Sequence, residues 1–141
     1  MRRFFLGTLA ALCLGLPATA QEDLPESVFR DYAHMREVLD GLMMQREIAD
    51  VMRAFGASDE MTVEELDSLQ NRVRAIFPSD FAQVSLVKRD EMGDGWAREM
   101  YAYWGGLSYI FASVVFHQRE EALVAVKFKF NTDINALLTE F

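Results

Sequence analysis

Ala122-Leu123-Val124-Ala125-Val126-Lys127-Phe128-Lys129-Phe130 is the stretch that decides the fold. Val124, Val126, Phe128 and Phe130 alternate with Leu123, Ala125, Lys127 and Lys129. A period of two is the mark of a strand in a sheet with one apolar side. Reading backward to Phe81, the same logic gives three more strands. The first covers Phe81–Arg89 with weak alternation, as at an edge or a bulge. Asp94-Gly95 closes a hairpin into the second, because both residues tolerate positive φ.

The next two reversals set a register. A Gly105-Gly106 turn pairs Trp104 with Leu107, Met100 with Phe111 and Arg98 with Ser113. An Arg119-Glu120 turn pairs Val115 with Val124 and Phe111 with Phe128. Both turns put Trp96, Trp104, Tyr109, Phe111, Phe128 and Phe130 on one face, with Arg98 and Ser113 among them. A one-residue slip would reverse that arrangement. The opposite face carries Tyr101, Tyr103, Ile110, Val114, Phe116 and Leu123 with Glu99, Lys127 and Lys129. It is mixed, and an apolar remainder there favours a homodimer.

Upstream, the chain reads as helices. Val28 or Phe29, Tyr32, Met35, Leu39 and Leu42 recur at three- and four-residue steps from a start near Glu26 or Ser27. Apolar residues continue to Phe55, Gly41 marks a bend, and Gly56 is a C-cap candidate. Met35, Met43, Met44 and Met52 read as adaptable core filler. Thr62 and Glu65 form a capping box for a second helix that ends near Phe77, ahead of Pro78. Ile134, Leu137, Leu138 and Phe141 suggest a short closing helix and a docked tail.

Arg2-Arg3, the apolar run Phe4–Leu16 and Ala18-Thr19-Ala20 form the three-part pattern of a secretory signal peptide. The domains are then a cleaved leader, 1–20, and one α+β domain, 21–141. The apolar run is short for a membrane span and is followed by Pro17. Cys13 falls inside the leader, so the mature chain has no disulfide and the expected location is a bacterial periplasm. The 141-residue chain carries a net charge of −8, with 22 acidic and 14 basic residues. Losing Arg2 and Arg3 makes it more negative still. Such a charge disfavours nucleic acid and anionic lipid, and no basic patch stands out in the sequence.

The order of two helices and an antiparallel meander, closed by Phe128-Lys129-Phe130-Asn131-Thr132-Asp133, resembles the NTF2-like, cystatin-like cone superfamily and its secreted or periplasmic members. The resemblance implies α+β architecture: N-terminal helices on a curved four-stranded sheet, with a pocket between them. Arg98 is the leading pocket residue, since a lone charge on an apolar face must pair or stay accessible. Its structural partner would be Asp31, Glu37 or Asp40. Its functional partner would be a small acidic or amphipathic ligand, held by Trp96, Tyr109, Phe111, Ser113 and Tyr32.

Catalytic candidates are sparse. His34 and His117 are the two histidines, and Ser113 lies about 13 Å from His117 along an extended strand, too far for direct proton transfer. Asp90 to Tyr101 lacks the third and twelfth ligands of a calcium loop, and no set of zinc ligands exists. The expectation is a non-enzymatic protein without metal or cofactor, binding a small ligand or a partner. The alternatives are a structural or dimerisation module with a closed cavity, or an enzyme using Arg98 to stabilise an anion.

Overall fold

A computed structural model describes residues 23–141. The leader assigned to 1–20, with Cys13, lies outside the described residues. The meander of four strands is present: β2 (Gln83–Gly93), β3 (Trp96–Gly105), β4 (Ser108–Gln118) and β5 (Leu123–Asn131). Val28–Phe29, expected at the start of a helix, instead forms a two-residue strand, β1, that pairs with Val124 and Leu123. The sheet is therefore five-stranded, in the order β1-β5-β4-β3-β2.

That sheet is open, with β1 and β2 as its edges, and is neither closed nor strongly curled. The curved, cone-like arrangement is thereby corrected, and the NTF2-like resemblance loses its structural basis. A cone needs a sheet that wraps its helices. Here the three longer helices lie on one side of an open sheet.

Both β-turns fall one residue later than expected. Gly105 pairs with Ser108 and Gln118 with Leu123, so the turns are Gly106-Leu107 and Glu120-Glu121. Met100 consequently faces Ser113, not Phe111, and Arg98 faces Val115, not Ser113. Moving a turn by one residue changes the paired positions by two in total, which keeps each side chain on its face. The first hairpin is as expected: Asp94 and Gly95 both have positive φ, 50° and 81°. A Cβ on Gly95 would stand 2.3 Å from the Gln118 carbonyl oxygen, where Gln118 N–H donates to Gly95.

The decisive departure is in β5. Phe116 pairs with Ala125, but Val115 pairs with Lys127, so Val126 is an extra residue in the ladder. One inserted residue reverses the facing of everything after it. Leu123 and Ala125 face the helices before the bulge, and Phe128 and Phe130 face them after it. The Phe128 ring lies 5.1 Å from that of Phe55. Phe111 remains on the other side, so the aromatic set expected on one face is divided by the sheet.

The helical layer is α1 (Tyr32–Met44), α2 (Ile48–Ala54) and α3 (Val63–Ile76). Asp31 caps α1 by accepting from His34 N–H at 2.8 Å. The bend expected at Gly41 is instead at Arg46, whose φ is 59°. Its guanidinium holds that turn by donating to the Phe77 carbonyl at 2.9 Å and to Asp80. The Thr62–Glu65 capping box of α3 is formed in both directions. Gly56 ends α2 at φ 90°, and a Cβ there would meet Ser27 Oγ at 2.3 Å. Met35, Leu39, Met43, Ile48, Val51 and Phe55 cover Tyr103, Ile110, Ala112, Val114 and Phe116. The sheet face expected to be free for a homodimer is this buried one.

A short α4 (Asn135–Leu138) follows, started by Asp133 Oδ1 accepting from Asn135 N–H at 2.9 Å. Leu137 is buried, and α4 touches β4 and β5.

Candidate functional site

Two places concentrate polar chemistry, and the sheet separates them. The first is the outer face, away from α1–α3. Alternation along β3 and β4 brings Trp96, Arg98, Met100, Ala102 and Trp104 beside His117, Val115, Ser113, Phe111 and Tyr109. Five of the six expected site residues (Arg98, Ser113, Trp96, Tyr109, Phe111) therefore share this face. Tyr32 does not, because its hydroxyl reaches Glu99 on the helix side. Phe128 is also across the sheet.

The outer face has two aromatic ends. Trp96 stacks on His117, with centroids 4.5 Å apart and planes 6° apart. Trp104 stacks on Tyr109 at 5.7 Å, and Tyr109 on Phe111 at 6.1 Å. Tyr109 is 42% exposed, and Leu107 at the adjoining turn is 95% exposed. Between these ends the chain lays its own C-terminal segment. Lys127 Nζ donates to Glu140 at 3.2 Å, and Lys129 donates to the same oxygen. Arg98 and Lys88 stand over the Phe141 ring, at 5.3 and 5.2 Å from its centroid. Ser113 and Met100 are buried on this same face.

Arg98 is thus not paired with the carboxylates expected for it. Asp31, Glu37 and Asp40 belong to the helical side, and Arg98 Nε has no hydrogen-bond partner among the described residues. Lys88, Arg98, Lys127 and Lys129 gather on one face of an acidic protein, with Asp90 paired across from Arg98 and Glu140 above. No sequence pattern announces this patch, because its members come from three strands. Strand parity alone could have found it, once the bulge was known.

The second place is Glu99, which is 0% exposed on the helix side. It is a residue that sequence reasoning noted only as part of a mixed face. Tyr32 Oη donates to both its oxygens, at 3.1 and 3.0 Å. Tyr101 Oη and Arg89 Nη1 donate to it as well. Beside it, Arg36 donates to Tyr32 Oη at 3.3 Å and to Asp40 at 2.9 Å, and Tyr103 donates to Asp40 at 2.8 Å. Burial, reinforced by the Glu99 carboxylate, raises the pKa of the Tyr101 phenol. Burial and then Asp40 do the same to Tyr103. Three donors, from Tyr32, Tyr101 and Arg89, share the two Glu99 oxygens, so the carboxylate has little acceptor capacity left for a substrate.

The expected cavity between sheet and helices is occupied by side chains. A cleft of about 620 Å³ lies instead among Pro25, Val28, His34, Glu37 and Arg53, beside β1. His34 Nδ1 accepts from Arg30 N–H there, and His117 Nε2 contacts the Asp94 carbonyl at 3.1 Å. Among the described residues, no cluster of three His, Cys, Asp or Glu side chains could hold a metal, and no helix is long and apolar enough to cross a membrane.

No family model, curated protein or solved structure matches this chain. With the open sheet, this sets aside the NTF2-like, cystatin-like assignment.

Proposed function

We propose that the chain is a non-enzymatic binding protein whose outer sheet face takes an acidic, aromatic segment of a protein partner. One observation carries the reading: the face already holds such a segment, the chain's own Glu140-Phe141. Lys127 and Lys129 take the carboxylate, and Arg98 and Lys88 take the ring. A single anion for two lysines leaves positive charge over, and exposed Tyr109 and Leu107 extend the apolar surface past the tail. Among the described residues, packed side chains such as Met35, Leu39, Tyr103 and Ile110 fill the space between helices and sheet, which argues against a small ligand held there.

A second reading has the same observation behind it: a structural module whose tail simply completes the outer face. The test is a titration of the Phe141→Ala variant with the acetylated peptide Leu-Leu-Thr-Glu-Phe, read by tryptophan fluorescence. Saturable binding that is lost on adding Arg98→Ala or Lys129→Ala supports the binding function. A variant that is destabilised but shows no binding at millimolar peptide favours the structural module.

A further inference from the structure

The edge of β5 is only partly used. β1 covers it at Leu123 and Val124, and Ala125 N–H donates to the Ser27 carbonyl at 2.8 Å. The chain then leaves the edge: Ser27 has φ 64°, its N–H goes to the Ala54 carbonyl, and Val28 N–H closes a turn on Pro25. The departure coincides with the bulge, so nothing from β1 follows β5 past Val126.

Which peptide groups remain open follows from the ladder. In an antiparallel pair, successive residues direct their N–H and C=O groups to alternate sides. Gln118 N–H bonds to Gly95 on the β3 side, and Arg119 N–H bonds to Ala122 on the β5 side. Odd-numbered residues of β4 therefore bond toward β5. Their partners after the bulge are Lys127, Lys129 and Asn131. The peptide groups of Phe128 and Phe130 point the other way, to the free edge. Among the described residues neither has a backbone or side-chain partner.

The flanks of this edge are shaped. A cleft of about 310 Å³ lies among Met52, Phe128, Phe130 and Leu137, and another of about 150 Å³ among Met52, Phe55, Val126 and Phe128. Val126 is 56% exposed. On the outer side, Lys127 and Lys129 are about half exposed and share the one Glu140 carboxylate.

We propose that the β5 edge from Val126 to Asn131 takes an extended segment of a partner protein by strand addition, collinear with β1 and antiparallel to β5. Open donors and acceptors at every second residue are what an added strand requires. The occupant's chemistry follows from parity. Residues opposite Phe128 and Phe130 point to Met52 and must be apolar. Residues opposite Lys127 and Lys129 point outward and must be acidic. β1 is the precedent, a short strand already bound to this edge in the required direction. This site binds through the backbone, whereas the outer face binds through side chains, and the two share only Lys127 and Lys129.

Amide hydrogen exchange, resolved by residue, tests it on the full chain with the probe acetyl-Val-Glu-Val-Glu-Val-Glu-amide. Without peptide, Phe128 and Phe130 amides exchange fast while Lys127 and Lys129 are slow. At saturating peptide, Phe128 and Phe130 slow by about tenfold or more. Protection of Phe128 and Phe130 before any addition would overturn the proposal, since the edge would then be covered. So would no slowing at millimolar peptide, equal slowing by the block isomer Val-Val-Val-Glu-Glu-Glu, or protection that depends on protein concentration alone. The last result would identify the occupant as a second copy.

Discussion

Tyr32 on α1 donates its hydroxyl to the fully buried Glu99 carboxylate on β3, 3.1 and 3.0 Å from its two oxygens. This bond, shared with Tyr101 and Arg89, fastens the first helix to the sheet. A buried carboxylate that loses a donor keeps its desolvation cost. Tyr32→Phe is expected to cost about 1–2 kcal/mol. Glu99→Ala, which strands two phenols and an arginine, should cost roughly 3–5 kcal/mol. Urea denaturation of both variants and of the double variant checks this, and the double should cost less than the sum.

Alkaline pH provides a separate check. Tyr101 and Tyr103 have folded pKa values raised by burial above the ordinary phenol value of about 10. Above that value the unfolded chain releases these protons while the folded chain keeps them, so stability falls as pH rises. The urea midpoint should hold steady up to about pH 9.5 and then decline. In Tyr103→Phe the decline should be shallower.

The bulge predicts unequal tolerance at neighbouring positions. Val126 is the extra, exposed residue, whereas Phe128 packs on Phe55. Val126→Lys should change stability by less than about 0.5 kcal/mol. Phe128→Lys should cost about 3 kcal/mol or more, because it places a charge among apolar rings. Unbroken alternation would make the two substitutions equivalent, since both would fall on one face.

Acid should loosen the tail. Hydrogen bonding from Lys129, opposed in part by burial and then aided by Lys127, lowers the Glu140 pKa. The stabilisation this represents is present above the ordinary glutamate pKa and lost as pH falls through the lowered one. Amide order parameters of Leu137–Phe141 should therefore fall at acid pH while those of β4 stay constant. Arg98 and Lys88 would retain the Phe141 ring more weakly on their own.

Much of the fold was legible, for local reasons. The four strands, the Asp94-Gly95 turn, the Thr62 capping box and the Gly56 cap each rest on chemistry within a few residues. What failed was global parity. Gly105-Gly106 offers two possible centres for a turn, and the wrong choice did no harm because it shifted pairing by two. Val126 looks like any other member of an alternating strand, yet its extra place in the ladder sends Phe128 across the sheet. β1 was hidden because Val28 and Phe29 also fit a helical stripe. Arg98, Trp96, Tyr109, Phe111 and Ser113 stayed together because they lie on β3 and β4, upstream of the bulge. Tyr32 was expected beside them because the aromatic face was placed toward the helices. The mixed face packs there instead, with Glu99 buried where Tyr32, Tyr101 and Arg89 converge.

Ring-to-ring cross-peaks in a nuclear Overhauser spectrum of phenylalanine-labelled protein test the divided aromatic set most directly. Cross-peaks between Phe128 and Phe55, whose centroids are 5.1 Å apart, are the predicted result. Cross-peaks between Phe128 and Phe111 would contradict it, because they would put both rings on one face and remove the bulge.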